Sequence, residues 1–557
     1  MRTLRGLAAS PGVAIGAAWV IAPDDVALPD RPSGDAQAET SRLHAALEGV
    51  AEDLAARAAT ATDEETRAIL EAIAAMASDP ELRRRADQLI DRGTAAARAV
   101  VTAADGFASV LAASGNDYLA ARAADVSDVG RAAARRILGI VGPDLRAVPD
   151  GAIVVARELS PSDVASLDLA KVRGVVTEGG GTTSHAAIVA RANGLAAVVG
   201  VADVLAGLAT GTQIALDGTS GEVIVDPDAA TAGSFEDRAD RERAERDRAA
   251  AAAGSGPATT ADGVAIEVAA NVAGAEELRA AVARGAQAVG LLRTELVYLD
   301  RRTPPTEAEQ ADLFRSLAAL TPGRIVVRTF DFGADKPIPF LEVRAEANPA
   351  LGVRGIRLAR EHPDLLDAQV RAVCAVARET GHPFAVMAPM LSTVEEAVWF
   401  RSRVEAAGGG VEVGAMVEVP SAVLMARDLA TQLDFLSIGT NDLTQYLHAA
   451  DREEPRLGAL QDPFDPAVLR AVGIVCDGAR GRAWVGVCGE AAGDPTWAAV
   501  AVGLGVRELS MSAARIPGVR AMLRATDLPA CEGAAVAARE GVDAADARGR
   551  AATALGR

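Results

Sequence analysis

The chain has 557 residues, 50% of them hydrophobic and 24% charged, with 76 acidic against 56 basic side chains and a formal net charge of −20. This composition excludes wholesale disorder. An acidic chain also lacks the basic footprint needed to wrap nucleic acid or an anionic membrane. The length suggests about three to four domains. Four cysteines, Cys374, Cys476, Cys488 and Cys531, are too few and too scattered for a disulfide framework or a zinc site, which fits a reducing cytosol. No uncharged apolar run reaches the ~20 residues that span a bilayer.

At the N-terminus, Arg2 and Arg5 precede an apolar stretch that loosely mimics a signal peptide. Pro11-Gly12 interrupts it and Asp24-Asp25 follows, so the stretch reads as a turn and a first strand. From 36 to 140 apolar residues recur at three- and four-residue spacing, as in Leu43, Leu47, Val50 and Leu54, and in Ile69, Ile73 and Met76. Ala fills the gaps, and Asp79-Pro80 marks a helix start, so a bundle of roughly four helices is expected.

From about 150 the pattern changes to short β-rich runs bounded by Gly and Asp: Ala152–Val155, Val172–Thr177, Ala197–Val199, Gln213–Leu216 and Val223–Val225. This is a compact α/β unit, and residues 1 to 22 can supply its first strands, which makes the bundle an insertion. Residues 236 to 250 alternate charge sign with no apolar stripe, as in a solvated linker helix; Gly254-Ser255-Gly256-Pro257 breaks it.

Beyond 260 eight short β runs alternate with helical stretches: Ile266–Ala270, Ala288–Leu292, Ile325–Thr329, Phe384–Pro389, Val413–Val419, Phe435–Gly439, Trp484–Cys488 and Arg507–Met511. Several are continuously apolar, as in a parallel sheet covered on both faces. Eight such units in about 300 residues predict a (β/α)8 barrel.

Polar residues at the C-terminal ends of barrel strands line the active face. Here those are Arg293, Arg328, Glu418, Asn441, Asp442 and Cys488, with Arg452 downstream. Glu418 and Asp442 are hard oxygen donors suited to Mg²⁺, which usually takes one or two protein carboxylates plus substrate oxygens. The arginines offer forked donors for phosphate and carboxylate. Together they suit a small polyanionic substrate polarised by a divalent cation. By itself Cys488 reads equally as a proton donor, a nucleophile or a packed thiol.

A second constellation is Gly179-Gly180-Gly181-Thr182-Thr183-Ser184-His185-Ala186-Ala187-Ile188. It follows a strand and opens a helix ending near Asn193-Gly194. Glycines let free N–H groups face outward, and a helix N-terminus favours negative charge, so His185 is placed to carry a phosphoryl group. The competing reading is a glycine turn with a capping Ser184 and an incidental His.

The Gly-Gly-x-Thr-Ser-His-x-Ala-Ile run resembles the phosphohistidine signature of phosphoenolpyruvate-utilising enzymes. The similarity continues through Gly290–Glu295, Arg328–Asp331, Asn348-Pro349-Ala350-Leu351-Gly352-x-Arg354, Ser437–Tyr446 and Cys488-Gly489-Glu490. Within that family it is closest to the enzyme I type of the sugar phosphotransferase system. Ala9-Ser10-Pro11-Gly12 and Asp117-Tyr118-Leu119 to Asp128 extend it to the N-terminal half.

The resemblance implies an α/β phosphohistidine domain (1–22 and 146–228) with an inserted helical subdomain (23–145) that docks the phosphocarrier HPr. A linker helix and hinge (229–260) and a barrel (261–557) that binds phosphoenolpyruvate and dimerises would follow. It implies a phosphoryl group on His185, substrate contacts from Arg293, Arg328, Asn441, Asp442 and Arg452, and Mg²⁺ on Glu418 and Asp442. Cys488 would protonate the enolate of pyruvate, and a cytoplasmic homodimer is expected.

Two departures stand out. Ile73 occupies a place where relatives often carry His, in the docking subdomain. Val164 stands where relatives often have a Thr that orients the active His, leaving Ser162, Thr182, Thr183 or Ser184 to substitute. Pyruvate phosphate dikinase and phosphoenolpyruvate synthase share the two domains but need a nucleotide-binding domain for which no room is found. A pyruvate-enolate lyase barrel would explain the rim and leave His185 idle. The stretch from Leu528 resembles nothing specific and is expected as a last helix or a frayed end.

Overall fold

The computed structural model describes the chain apart from residues 22–27, 30, 33, 61–63, 113–116, 141–147, 160, 165–166, 182–183, 253–255, 299–300, 302, 322, 334–337, 339, 342–343, 345 and 453. Some helix side chains also lie outside the description, among them those of Ser162, His185 and 117–124. The chain divides into two compact units, Met1–Ala239 and Asp240–Arg557.

In the first unit, β1 (Arg2–Arg5), β2 (Leu7–Ser10) and β3 (Val13–Val20) come from the N-terminal stretch. They join β4 (Ala152–Ala156), β5 (Val172–Thr177), β6 (Ala196–Val199), β7 (Gln213–Asp217) and β8 (Glu222–Val225). The eight form one sheet in the order β1-β8-β7-β3-β4-β5-β6-β2, in which β3 through β6 run parallel. The N-terminal strands therefore sit inside the later α/β sheet, and the helices between β3 and β4 are an insertion.

That insertion holds five helices where the pattern predicted about four: α1 (Ala36–Thr60), α2 (Glu64–Ala77), α3 (Pro80–Asp91), α4 (Ala96–Ala112) and α5 (Asp117–Ile137). The start of α3 follows its residues: Asp79 accepts from Glu81 N at 2.7 Å and Pro80 takes the first helical position. Ile73 is buried in the bundle core with Leu43, Leu47, Leu70, Ala77 and Leu82. The departure at 73 therefore acts on packing inside the subdomain.

Two further helices complete this unit: the short α6 (Pro161–Val164) and α7 (His185–Asn193). The charge-alternating stretch forms α8 (Ala229–Ala252), which runs from the first unit into the second.

The second unit is a closed parallel barrel in the order β9 to β16: β9 (Glu267–Val272), β10 (Ala288–Arg293), β11 (Ile325–Arg328), β12 (Phe384–Ala388), β13 (Glu412–Val417), β14 (Phe435–Ile438), β15 (Trp484–Val487) and β16 (Glu508–Met511). Outward residues such as Val268, Val289, Leu292, Val413 and Leu436 pack under the helices in one continuous core. Inward residues Leu291, Val326, Ala385, Met387, Met416, Phe435 and Cys488 form a separate cluster inside the barrel. The C-terminal stretch is a pair of helices, Leu528–Arg539 and Ala544–Ala554. They bury Cys531, Ala534, Ala535, Ala538, Ala547 and Ala551 against the outer core. Asp527 and Asp543 cap the two helices, which is why this segment does not fray.

Candidate active site

Six of the residues singled out by sequence lie at or just beyond the carboxyl ends of barrel strands, and Arg452, past the helix that follows β14, joins them through Asp442. Parallel pairing in register brings these ends to one rim.

Arg328 closes β11 and is nearly buried. Its guanidinium meets Glu295 at 2.9 Å and Asp331 at 3.7 Å. Burial works against its charge, but Glu295, Asp331 and Glu418 outweigh it and push its pKa up. Arg328 therefore stays a cation in a dry site. Arg293 ends β10, is exposed, and lies 3.9 Å from Glu277.

Glu418 follows β13 and is buried, with Oε1 accepting from Met390 N at 2.6 Å. Burial first, then Asp442 and Asp331, push its carboxyl up to about 8, while Arg354 and Arg328 pull the other way. Asp442 lies in the first turn of the helix Thr440–His448. Its carboxylate meets Arg452 at 3.1 Å and Arg354 at 3.6 Å. Asn441, beside it, is exposed and accepts from Glu490 N at 3.3 Å.

Cys488 follows β15 and is 4% exposed. Burial pushes its thiol up to about 12, with the Ser437 hydroxyl beside it acting in the opposite direction. A thiol of this kind is protonated at neutral pH and can donate, whereas nucleophilic or metal-binding roles require the thiolate. Its backbone is tied on both sides: its N–H donates to Ile438 O at 3.0 Å, and its carbonyl accepts from Asn271 Nδ2 at 2.9 Å. Ser510 Oγ donates to Asn271 Oδ1 at 2.6 Å, which completes the bracket.

The residues fit a divalent cation. Glu418 is a buried carboxyl whose charge two acidic neighbours disfavour despite Arg354 and Arg328, and a bound cation would offset them. Glu418 and Asp442 are also the hard oxygen donors Mg²⁺ prefers. Among the described residues no group of three or more His, Cys, Asp or Glu gathers as a metal cage.

Sequence reasoning passed over the centre of this network. Arg354 and Asp331 are each 1% exposed and form a forked pair, with Nε to Oδ1 at 3.2 Å and an outer nitrogen to Oδ2 at 2.7 Å. Both residues lay within recognised motifs, and the Asn348-to-Arg354 motif was the available signal.

The second constellation lies in the first unit. Ser184 is the N-cap of α7, its Oγ accepting from Ala187 N at 3.4 Å, and Gly194 closes the helix with φ 67°. His185 is the first helical residue; its side chain and Thr182–Thr183 lie outside the described residues. The Ser184 hydroxyl is engaged as the cap. Val164 is a partly buried apolar contact of the core that holds Ala186, Ala187 and Ala190.

No helix among the described residues is long and apolar enough to cross a membrane. Three family models match in chain order: PEP-utilising enzyme, N-terminal, over residues 5–122; the mobile domain over 148–221; and the PEP-binding domain over 247–528. A phosphoenolpyruvate-protein phosphotransferase of Streptomyces coelicolor is 44% identical over 552 residues, covering 98% of each chain. One from Haloferax volcanii is 40% identical over 553 residues, covering 94% of each. A multiphosphoryl transfer protein of Xanthomonas campestris is 41% identical over 95% of this chain and 64% of its own length. With these matches spanning nearly its whole length, the chain belongs to the PEP-utilising enzymes, within the phosphoenolpyruvate-protein phosphotransferase family, and is a transferase.

Proposed function

We propose that the chain transfers the phosphoryl group of phosphoenolpyruvate to His185 and then to a histidine of HPr, releasing pyruvate. The observation that carries this is the barrel rim: two buried carboxylates, cationic Arg328 and a protonated buried Cys488 converge where a small trianion can sit.

Phosphoryl transfer is mostly positioning and charge neutralisation. Arg293, Arg328 and Arg452 bind the phosphate and carboxylate, with Asn441 and Asp442 shaping the site. Glu418 and Asp442 would hold Mg²⁺, which would neutralise the phosphate and stabilise negative charge on the enolate oxygen. His185, neutral at its ring nitrogen, takes the phosphoryl group at the N-terminus of α7, where the helix dipole favours an anion. Cys488 gives its proton to C3 of the enolate, completing pyruvate. Residues 226 to 262, including α8, act as the hinge that lets His185 serve both sites. The inserted helices are the HPr platform. Leu424 and Met425, exposed on the barrel just after β13, suit a homodimer contact.

The test is pyruvate release from phosphoenolpyruvate and Mg²⁺, with and without HPr, on wild type and His185→Ala. Stoichiometric pyruvate without HPr, turnover with it, and acid-labile phosphate lost in the variant are expected. No pyruvate from the wild type would refute the reading.

A further inference from the structure

The barrel interior is divided. One side, from β10 to β14, is apolar: Leu291, Val326, Met387, Met416 and Phe435. The opposite side carries a column of polar side chains. Gly486 pairs in register with Ser437 on one neighbour and Glu508 on the other, so these three lie at one level of β14, β15 and β16. Cys488 and Ser510 lie two residues further along the same strands, one layer closer to the rim, because side chains alternate along a strand.

Glu508 is 2% exposed, and its Oε1 is buried without a hydrogen-bond partner. Its oxygens occupy space that two glycines leave open: a Cβ at Gly290 would meet Oε1 at 2.2 Å, and one at Gly486 would meet Oε2 at 3.1 Å. Below Glu508, at the amino-terminal mouth, Arg324 bridges Glu267 and Glu412 and stacks 3.8 Å over the Trp484 ring. Arg324 Nε and Trp484 Nε1 are also buried without partners. Unpartnered buried polar atoms in a polar space are where internal water binds. Glu412, with its side chain 42% exposed, and Glu267, at 28%, open the mouth to solvent.

We propose that Glu508 resupplies the proton that Cys488 gives to substrate, by way of the Ser437 hydroxyl and water in the lower barrel. The inference rests on the reading of Cys488 as proton donor. When the Cys488 S–H proton goes to C3 of the enolate, a buried thiolate remains. Ser437 Oγ, like Glu508 Oε1, is buried without a partner, so the Glu508 O–H bond breaks as an intervening water takes that proton and hands one of its own to Ser437 Oγ, whose hydroxyl proton passes to Sγ. A new S–H forms and Glu508 is left as a carboxylate, which regains a proton from solvent water past Glu267 and Glu412. Nothing is oxidised or reduced.

The charged and titratable groups around Glu508 are Glu267 on β9, Arg324 before β11, Glu412 on β13 and Cys488 after β15. Burial, then Glu267, push the Glu508 carboxyl up to about 8, so it holds its proton at neutral pH. A thiolate at Cys488, whose ordinary state is protonated to about 12, will take it.

The test uses the full chain and two measurements that need no phosphate acceptor. Rapid quench follows the first equivalent of pyruvate from phosphoenolpyruvate and Mg²⁺. Deuterium loss from CD3-pyruvate in H2O, on the phosphorylated enzyme with Mg²⁺, follows reloading, because the deuteron taken by Cys488 must leave before it returns. Glu508→Gln should give its first equivalent at the wild-type rate and lose deuterium at least about tenfold more slowly. Ser437→Ala, which keeps Glu508, should show the same split and serves if the first variant folds poorly. Wild-type deuterium loss in both variants would overturn the proposal and mean that the thiol exchanges over the rim. Equal slowing of both steps would also overturn it, since damaged packing does that. No first equivalent from the wild type would instead bring down the phosphotransfer reading.

Discussion

Replacing Asp331 with Ala tests whether the buried charge network under the rim holds the barrel top together. Asp331 accepts two bonds from Arg354 at 3.2 and 2.7 Å and lies 3.7 Å from Arg328, with both members of the main pair 1% exposed. Removing one partner of such a pair leaves a desolvated charge and costs about 3–5 kcal/mol. That is roughly two to nearly four powers of ten in the folding equilibrium. Asp442 lies 3.6 Å from Arg354 and already serves Arg452.

Urea unfolding followed by tryptophan fluorescence is the assay. Trp399, Trp484 and Trp497 report on the barrel unit, and a Trp19→Phe background removes the reporter in the other unit. A double-mutant cycle with Arg354→Met isolates the pair. Asp331→Ala should also lower the Glu418 pKa, because Asp331 is one of the two acids holding it up. A destabilisation below about 1 kcal/mol, the range of exposed pairs, would refute the reasoning.

Glu508→Gln should change how stability depends on pH. The Glu508 pKa rises on folding from 4.5 to about 8, so its contribution is complete below 4.5 and is lost as pH climbs through 8. Wild-type stability relative to the variant should fall across that window by at most about 1.4 kcal/mol per pH unit, and parallel urea curves from pH 5 to 9 would contradict this. Cys488→Ala should cut pyruvate formation about 10²- to 10⁴-fold with little change in KM for phosphoenolpyruvate, since only proton donation is lost. Native alkylation at pH 8 should leave Cys488 unmodified, because a thiol near 12 is about one part in ten thousand thiolate. Truncation after Thr526 should abolish cooperative unfolding of the barrel unit, as it uncovers the outer core beneath Cys531, Ala535 and Ala547.

The eight barrel strands were legible because a parallel strand covered on both faces leaves a continuous apolar run, and each begins or ends within two residues of its expected place. The rim residues were legible for the same reason: strand ends locate them. Arg354, Asp331 and Glu295 were not, because the strand pattern stops before the loops that carry them and burial alone makes them a network. The helical insertion was misjudged by one helix, since its Ala-rich segments carry weak periodicity and the Gly93-Thr94 break gives no stronger signal than an interior glycine. Glu508 was invisible as a site. After Arg507 it reads as one more surface charge, and only closure of the barrel turns it inward.

That closure makes Glu508 hard to explain by packing. A barrel interior of this size is normally a filled, mostly branched apolar core. Here a carboxyl is buried with one oxygen unpartnered, which costs about 1–3 kcal/mol. Gly290 and Gly486 leave the space that it occupies. A Gln would fill the same volume without the acid, and a Met would satisfy the apolar neighbours. What neither supplies is a proton that can leave. The acid stands one layer below a thiol whose proposed chemistry consumes a proton each cycle, and its far side opens to solvent through Glu267 and Glu412. Stability alone would favour a neutral side chain at 508. Proton supply to Cys488 is the one requirement derived from this structure that the carboxyl meets and its neutral substitutes do not.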